Sequence, residues 1–184
     1  MKILAIDSSG LIASAALATE DAVLAEYTTN YKKTHSQTLL PMIDEIVKMT
    51  ETELSELDAI AVTAGPGSFT GLRIGSATAK GLGQALSKPL IAVPTTEALA
   101  WNFCGAEAVI CPLMDARRSQ VYTGLYRWNK NTETMDCLFE QQAMAVEDII
   151  AEVNRLGQPV IFLGDGADAY RTVLSEKTEV VFSF

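Results

Sequence analysis

Histidine and cysteine, the side chains that most often hold metals or carry nucleophilic catalysis, are scarce in this sequence. Its 184 residues include one histidine, His35, and three cysteines without the CxxC spacing of zinc or redox sites. Leu39 occupies the position where an i, i+4 partner of His35 would stand on a helix. We therefore predict no metal site, no metal-dependent hydrolysis and no Ser-His-Asp triad. The odd number of cysteines (Cys104, Cys111 and Cys137) indicates a reduced protein.

Basic side chains and long apolar runs are also few. Fourteen Lys and Arg residues stand against 23 Asp and Glu residues, which gives a net charge of −9. Because lysine and arginine contacts to phosphates supply most nucleic-acid affinity, this balance predicts that the chain does not bind nucleic acid on its own. No apolar run is long enough to cross a membrane, and the chain enters a strand at once without a signal peptide. These features predict a cytoplasmic protein without a membrane partner.

What the sequence does contain is an alternation of strand and helix patterns that occurs twice. Strands are predicted at 2–6, 12–18, 23–28, 58–64, 90–93, 108–114, 119–127, 137–142, 160–163 and 180–182. Helices are predicted at 34–50, from the glycine loop to 87, and at 97–103, 146–156 and 167–175. Each half thus reads βββαβα, which predicts an α/β protein with mixed sheets, flanking helices and domains 1–103 and 104–184. Tandem halves of this kind are typical of the actin-like ATPase and ribonuclease-H-like architecture.

The first predicted helix carries two conflicting signals at its start. Thr34 and Gln37 have the spacing of a capping box, but Pro41 then lies too deep for an unbroken helix. Either Thr38 is the true N-cap or the helix kinks at the proline.

A glycine-rich loop at 65–73 joins a predicted strand to a predicted helix. Backbone N–H groups at a helix N-terminus attract anions, so phosphate is the first ligand to consider. The turn Asp7 to Gly10 has the acidic and hydroxyl residues of an actin-like phosphate hairpin, but glycine is not in its usual place. We favour a polar turn in which Asp7 and Ser8 bond local N–H groups. The candidate residues of a vestigial nucleotide site are Asp7, Ser8, Ser9, Gly65, Gly67, Ser68 and Arg73.

The helix after this loop carries a stripe of small residues at four-residue spacing, namely Gly71, Gly75, Ala79 and Gly83. Each interior glycine costs about 0.8–1 kcal/mol relative to alanine, so close packing must offset the loss. Either the chain's own elements or a helix of another protein could approach this stripe. The pattern leaves both open, and core packing is the more common use.

Four segments together resemble the bacterial TsaB family, also called YeaZ. They are MKILAID at 1–7, HSQTLLP at 35–41, GPGSFTGLRIG at 65–75 and MDARR at 114–118. The resemblance runs from Met1 to Gly166 and implies a non-catalytic subunit needed to form N6-threonylcarbamoyladenosine in tRNA beside the anticodon. It also implies that the partner TsaD performs the transfer, that TsaE joins the larger complex, and that metal-ligand histidines are absent. Family members usually continue further, so the second half is expected to be incomplete at its C-terminal end.

The resemblance further implies a partner-binding face on the helices of the first half. The residues carried over are His35, Leu39, Leu40, Ile43, Ile46, Val47, Gly71, Gly75, Ala79 and Gly83. This face would bind TsaD as a heterodimer or, in isolation, a second copy as a homodimer. Given the net charge of −9, any affinity for tRNA is expected to be indirect. No cofactor is expected in the isolated chain, and ATP or ADP is the candidate ligand at the interface with TsaD.

Two enzymatic alternatives remain beside this interpretation. One is an actin-like ATPase or small-molecule kinase that uses the Asp7 turn and the loop from Gly65 to Gly71. The other is a metallopeptidase, a label sometimes attached to this branch of the superfamily. Separately, Arg117 and Arg118 form either a charged hairpin turn or a clamp for carboxylates or phosphates.

Overall fold

The computed structural model describes residues 1–31 and 33–184, and these form two compact units. The first unit is Met1–Pro94 and the second is Thr95–Phe184. The boundary therefore lies before Thr95, not at 103/104 as predicted. The reason is that the helix which begins at Thr95 packs on the second sheet, where Ala100 contacts Ile110 and Tyr126.

The first unit is a five-stranded mixed sheet with two helices. Its strands are β1 (Lys2–Asp7), β2 (Ala13–Thr19), β3 (Val23–Thr29), β4 (Ala59–Gly65) and β5 (Leu90–Pro94), in the order β3-β2-β1-β4-β5. The first three strands pair antiparallel, and β4 runs parallel to β1 and β5. Helices α1 (His35–Met49) and α2 (Phe69–Leu86) pack on the sheet and on each other, and a 3₁₀ turn covers Leu54–Glu56.

Helix α1 is continuous through its proline. Thr34 is the N-cap, and its backbone N–H donates to the Gln37 side chain at 3.4 Å, so the predicted capping box is present. Neither an N-cap at Thr38 nor an interruption at Pro41 is found, because the cap and the buried apolar face hold the first turn in place. That face buries Leu39, Met42, Ile43 and Ile46 in the core of the first unit.

The second unit repeats this topology. Its strands are β6 (Val109–Arg117), β7 (Gln120–Asn129), β8 (Thr134–Ala145), β9 (Val160–Leu163) and β10 (Phe182–Ser183). Its helices are α3 (Thr95–Ala100), α4 (Val146–Leu156), α5 (Asp165–Ala169) and α6 (Arg171–Lys177), with a 3₁₀ turn at Trp101–Phe103. The sheet order β8-β7-β6-β9-β10 corresponds strand for strand to the first sheet, with the same parallel and antiparallel pairs. The predicted duplication and mixed sheets are confirmed.

Several boundaries in the second unit differ from the sequence prediction; strand β8, predicted at 137–142, covers Thr134–Ala145. Strand β6 continues to Arg117, so Asp115 lies within the strand, and the hairpin turn is Arg118-Ser119. The predicted helix at 167–175 is two short helices, because Tyr170 leaves helical geometry with φ −111°. Within the described residues, no helix is long and apolar enough to cross a membrane.

Candidate functional site

The turn after β1 is organised by its own aspartate. Asp7 Oδ1 accepts hydrogen bonds from the Ser9 backbone N–H at 2.8 Å and from Thr63 Oγ1 at 2.7 Å. Ser8 and Ser9 are buried. The polar-turn interpretation is therefore the one that the structure supports for Asp7, whose carboxylate holds the turn against β4.

The glycine loop binds this turn directly. The Ser68 N–H donates to the Ser9 carbonyl at 2.6 Å, and the Ser68 hydroxyl caps α2 by accepting from the Gly71 N–H at 3.3 Å. At Gly67, φ is +154° and a Cβ would overlap the Ser9 carbonyl, so glycine is required for both conformation and space. The two segments predicted to bind phosphate therefore pack against each other, and the Ser68 N–H, which a phosphate would need, already donates to a backbone carbonyl.

The small-residue stripe of α2 faces the interior of the first unit. A Cβ at Gly71 would overlap the Ser8 carbonyl, and a Cβ at Gly75 would overlap the Ser8 hydroxyl. That hydroxyl donates to the Gly71 carbonyl at 2.8 Å in a buried hydrogen bond. A Cβ at Gly83 would lie 2.8 Å from Leu90 Cδ2, and Ala79 is fully buried. The approach that the stripe permits is made by the chain's own β1–β2 turn and by β5.

This arrangement corrects part of the predicted partner-binding face. Gly71, Gly75, Ala79 and Gly83 are buried in the isolated chain and are not available to a partner. The same holds for Leu39, Ile43 and Ile46, which lie in the core, while Val47 packs against that core partly buried. His35 is partly buried as well, with Nε2 2.9 Å from the Gly10 carbonyl oxygen. Leu40 is the predicted residue that projects outward, with 54% of its surface exposed.

The exposed sides of α1 and α2 form what we call the outer face, defined by Leu40, Asp44, Met49, Phe69, Arg73, Ala77 and Lys80. Phe69 is 69% exposed, and the Arg73 guanidinium lies 3.9 Å from the centre of its ring. Arg73 therefore lies on this face and not beside the Asp7 turn, which corrects its assignment to a nucleotide site. Beside it is a shallow pocket of about 360 Å³ whose lining includes Leu72 and Ala77.

Phe69 and Ala77 were not predicted as part of a partner-binding surface, because the glycine stripe is the more conspicuous pattern on this helix and lies on its other side. Positions 69, 73, 77 and 80 recur at helical spacing and alternate with the buried stripe, so this signal was present in the sequence.

In the part of the chain that the structure describes, no three His, Cys, Asp or Glu residues are grouped so that they could hold a metal ion. The thiols of Cys104, Cys111 and Cys137 are free. Cys111 is completely buried, which raises the pKa of its thiol to about 12 and makes it unreactive.

The sequence and structure were compared with known proteins. A family model described as "TsaD: tRNA N6-adenosine threonylcarbamoyltransferase" matches residues 22–184. A Bacillus subtilis protein named "tRNA threonylcarbamoyladenosine biosynthesis protein TsaB" is 36% identical over 176 residues, 96% of this chain and 76% of that protein. The chain belongs to the TsaB (YeaZ) family. The family suggested by the four sequence segments is thus confirmed.

Other relatives of the TsaB family agree with this assignment. An Escherichia coli protein with the same name is 37% identical over 134 residues, 71% of this chain and 57% of that protein. A Pseudomonas aeruginosa structure described as having similarity to "peptidase YEAZ" is 28% identical, with a TM-score of 0.79, and the match covers 99% of this chain and 83% of that one. Two more distant structures share the fold alone: the ethanolamine utilization protein EutJ of Carboxydothermus hydrogenoformans (10% identical, TM-score 0.53) and a putative N-acetylglucosamine kinase of Porphyromonas gingivalis (14% identical, TM-score 0.50).

Proposed function

We propose that this chain is a non-catalytic subunit in the formation of N6-threonylcarbamoyladenosine in tRNA, and that it acts by binding and activating TsaD. The names of its TsaB relatives and the description of the matching family model support the pathway. The observation that carries the mechanism is the outer face. Its apolar side chains Leu40 and Phe69 are exposed although the core beneath α1 and α2 is already complete.

The outer face has the composition of a protein-binding surface. An aromatic ring with a stacked arginine and neighbouring aliphatic side chains is the kind of cluster that supplies most of the affinity at interfaces. Because α1 and α2 are held by the core from behind, binding requires no unfolding and little ordering of the chain. Docking would shift TsaD towards its active form because the outer face would bind that form more tightly than the other forms.

The remaining partners follow from the same surface. Without TsaD, we propose that two copies of the chain pair through the outer face, so that homodimer and heterodimer compete. TsaE joins the larger complex, and ATP or ADP binds at the interface with TsaD. The glycine loop of the first unit is not the nucleotide site in this proposal, because the Ser9 carbonyl already accepts from the Ser68 N–H.

Reconstitution tests the proposal. TsaD, threonylcarbamoyl adenylate and tRNA are combined with and without the chain, and modified adenosine is measured. We expect the chain to raise the rate of modification, while the chain alone yields no product. Product from the chain alone, or a TsaD rate that the chain does not change, would contradict the proposal.

The Leu40→Asp variant tests the surface. Placing a carboxylate at an apolar contact is expected to weaken TsaD binding by about 2 kcal/mol or more, about 30-fold, in line with interface hot spots. Val181→Asp is the matched control, since Val181 is 76% exposed and lies in the second unit. Size-exclusion chromatography and calorimetry with TsaD give the affinities, and circular dichroism checks the fold. Equal affinities for the two variants would show that the outer face is not the docking surface.

A further inference from the structure

A groove separate from the outer face runs between α1 and the free edge of the first sheet. It has a volume of about 480 Å³, and its lining includes Tyr27, Tyr31 and Lys33 on one side and Pro41, Met42 and Glu45 on α1. Leu40, the outward-facing residue of α1, is not part of it.

The strand beside the groove has an open edge. β3 is the terminal strand of its sheet and pairs with β2 on one side. In an antiparallel pair, alternate residues turn their N–H and C=O groups away from the neighbouring strand, so β3 offers a row of backbone donors and acceptors. Tyr27 and Thr29 of this strand line the groove, so a strand added at this edge would place alternate side chains against α1.

The groove carries opposite charges at its two ends. Lys33 precedes the N-cap of α1 and lies near the C-terminal end of β3, whereas Glu45 lies three turns along the helix. Eleven or twelve residues of helix separate them, a distance of about 17 Å along the axis. An extended strand covers about 20 Å in six steps, so a seven-residue segment reaches both charges. Because an antiparallel strand would run from Lys33 towards Glu45, its complementary sequence is acidic at the N-terminus and basic at the C-terminus.

We propose that this groove binds an extended peptide segment of a partner protein, which adds to β3 as an antiparallel sixth strand. The segment has an acidic residue opposite Lys33, aliphatic residues facing Tyr27 and Pro41, and a basic residue opposite Glu45. Backbone pairing with β3 supplies affinity, and the groove side chains supply orientation and specificity. This inference does not rest on the proposed function, because it uses a different surface.

A pair of peptides of identical composition tests the proposal. The probe is acetyl-Asp-Thr-Val-Thr-Val-Thr-Lys-amide, and the control exchanges its first and last residues. Binding to the isotopically labelled 184-residue chain is followed by amide chemical shifts. We expect the probe to shift amides of β3 and α1 and to bind about three- to tenfold more tightly than the control, since two exposed ion pairs discriminate weakly. No binding, or equal binding of both peptides, would overturn the proposal.

A charge exchange in the chain sharpens the test. The double variant Lys33→Glu/Glu45→Lys should prefer the control peptide, because both charges of the groove are reversed. The matched variant Glu107→Lys/Lys130→Glu reverses an exposed ion pair of the second unit, outside the groove, and should keep the original preference. A preference unchanged by the first exchange, or reversed by the second, would overturn the proposal. So would β3 shifts that depend on protein concentration without peptide, since a second copy of the chain would then occupy the edge.

Discussion

The same substitution at two positions of one helix should have opposite effects on stability. Gly71 and Gly81 both lie in α2, but a Cβ at Gly71 would overlap the Ser8 carbonyl, whereas a Cβ at Gly81 meets nothing within 4 Å. Alanine removes the glycine penalty at both positions, a gain of at most about 1 kcal/mol. Gly81→Ala is therefore expected to raise the free energy of unfolding by about 0.5–1 kcal/mol.

At Gly71 the gain is outweighed. The overlapping partner is a backbone atom, which cannot move aside as a flexible side chain can, so the added methyl group is expected to cost about 1–3 kcal/mol of overpacking. The shift also strains the buried hydrogen bond from Ser8 Oγ to the Gly71 carbonyl, a further 0.5–1.5 kcal/mol or so. The net expectation for Gly71→Ala is a loss of about 0.5–4 kcal/mol.

Both values are measured by urea unfolding. Circular dichroism follows the whole chain, and hydrogen exchange of α2 amides reports on the first unit, because both tryptophans, Trp101 and Trp128, lie in the second. A Gly71→Ala variant as stable as the parent protein would refute the conclusion that the stripe packs inside the chain. A destabilised Gly81→Ala would show that the exposed side of α2 is packed.

Two further predictions concern buried polar groups. Ser8→Ala should lower the free energy of unfolding by about 1 kcal/mol, since the buried hydrogen bond from Ser8 Oγ to the Gly71 carbonyl is lost, whereas Ser55→Ala at an exposed position should leave it unchanged in the same urea experiment. Burial raises the pKa of the Cys111 thiol from 9.0 to about 12, so above about pH 9 the unfolded chain releases a proton that the folded chain retains. Stability should fall as pH rises from about 9 to 12, by up to about 1.4 kcal/mol per pH unit from this group. Cys111→Ser should reduce that slope; a slope equal to that of the parent protein would contradict this.

Hydrophobic periodicity was sufficient to predict most of the fold. Helix α4 and strand β9 begin and end where the sequence pattern indicated, because apolar residues in phase and flanking turn residues mark both ends. The boundary before Thr95 was not predictable in this way. It depends on where α3 packs, and Ala100 contacts Ile110 and Tyr126, which are distant in sequence.

The sequence indicated that α2 is packed closely by something, but it did not indicate which side of α2 is buried in the chain and which is exposed. Small residues at four-residue spacing indicate that something approaches the helix closely, but they do not identify it. The answer here depends on Ser8, which is 63 residues away from Gly71 and carries no motif that links the two. The same limit applies to the hydrogen bond between the Thr96 and Tyr126 hydroxyl groups, at 2.8 Å, which joins α3 to β7.

Ser8 contacts two successive turns of α2, and this contact also fixes the position of the outer face on the opposite side of that helix. If α2 slid along the sheet by one residue, the side chain of Leu72 or Thr70 would have to enter the space that Gly71 leaves for a backbone carbonyl. The stripe therefore permits one register of α2 on the sheet and excludes its neighbours. Phe69 lies on the opposite side of the same helix, so the buried stripe also sets the spacing between Phe69 and Leu40. Under the function proposed above, substitutions inside the stripe are expected to weaken TsaD binding by displacing the outer face, even in variants that remain folded.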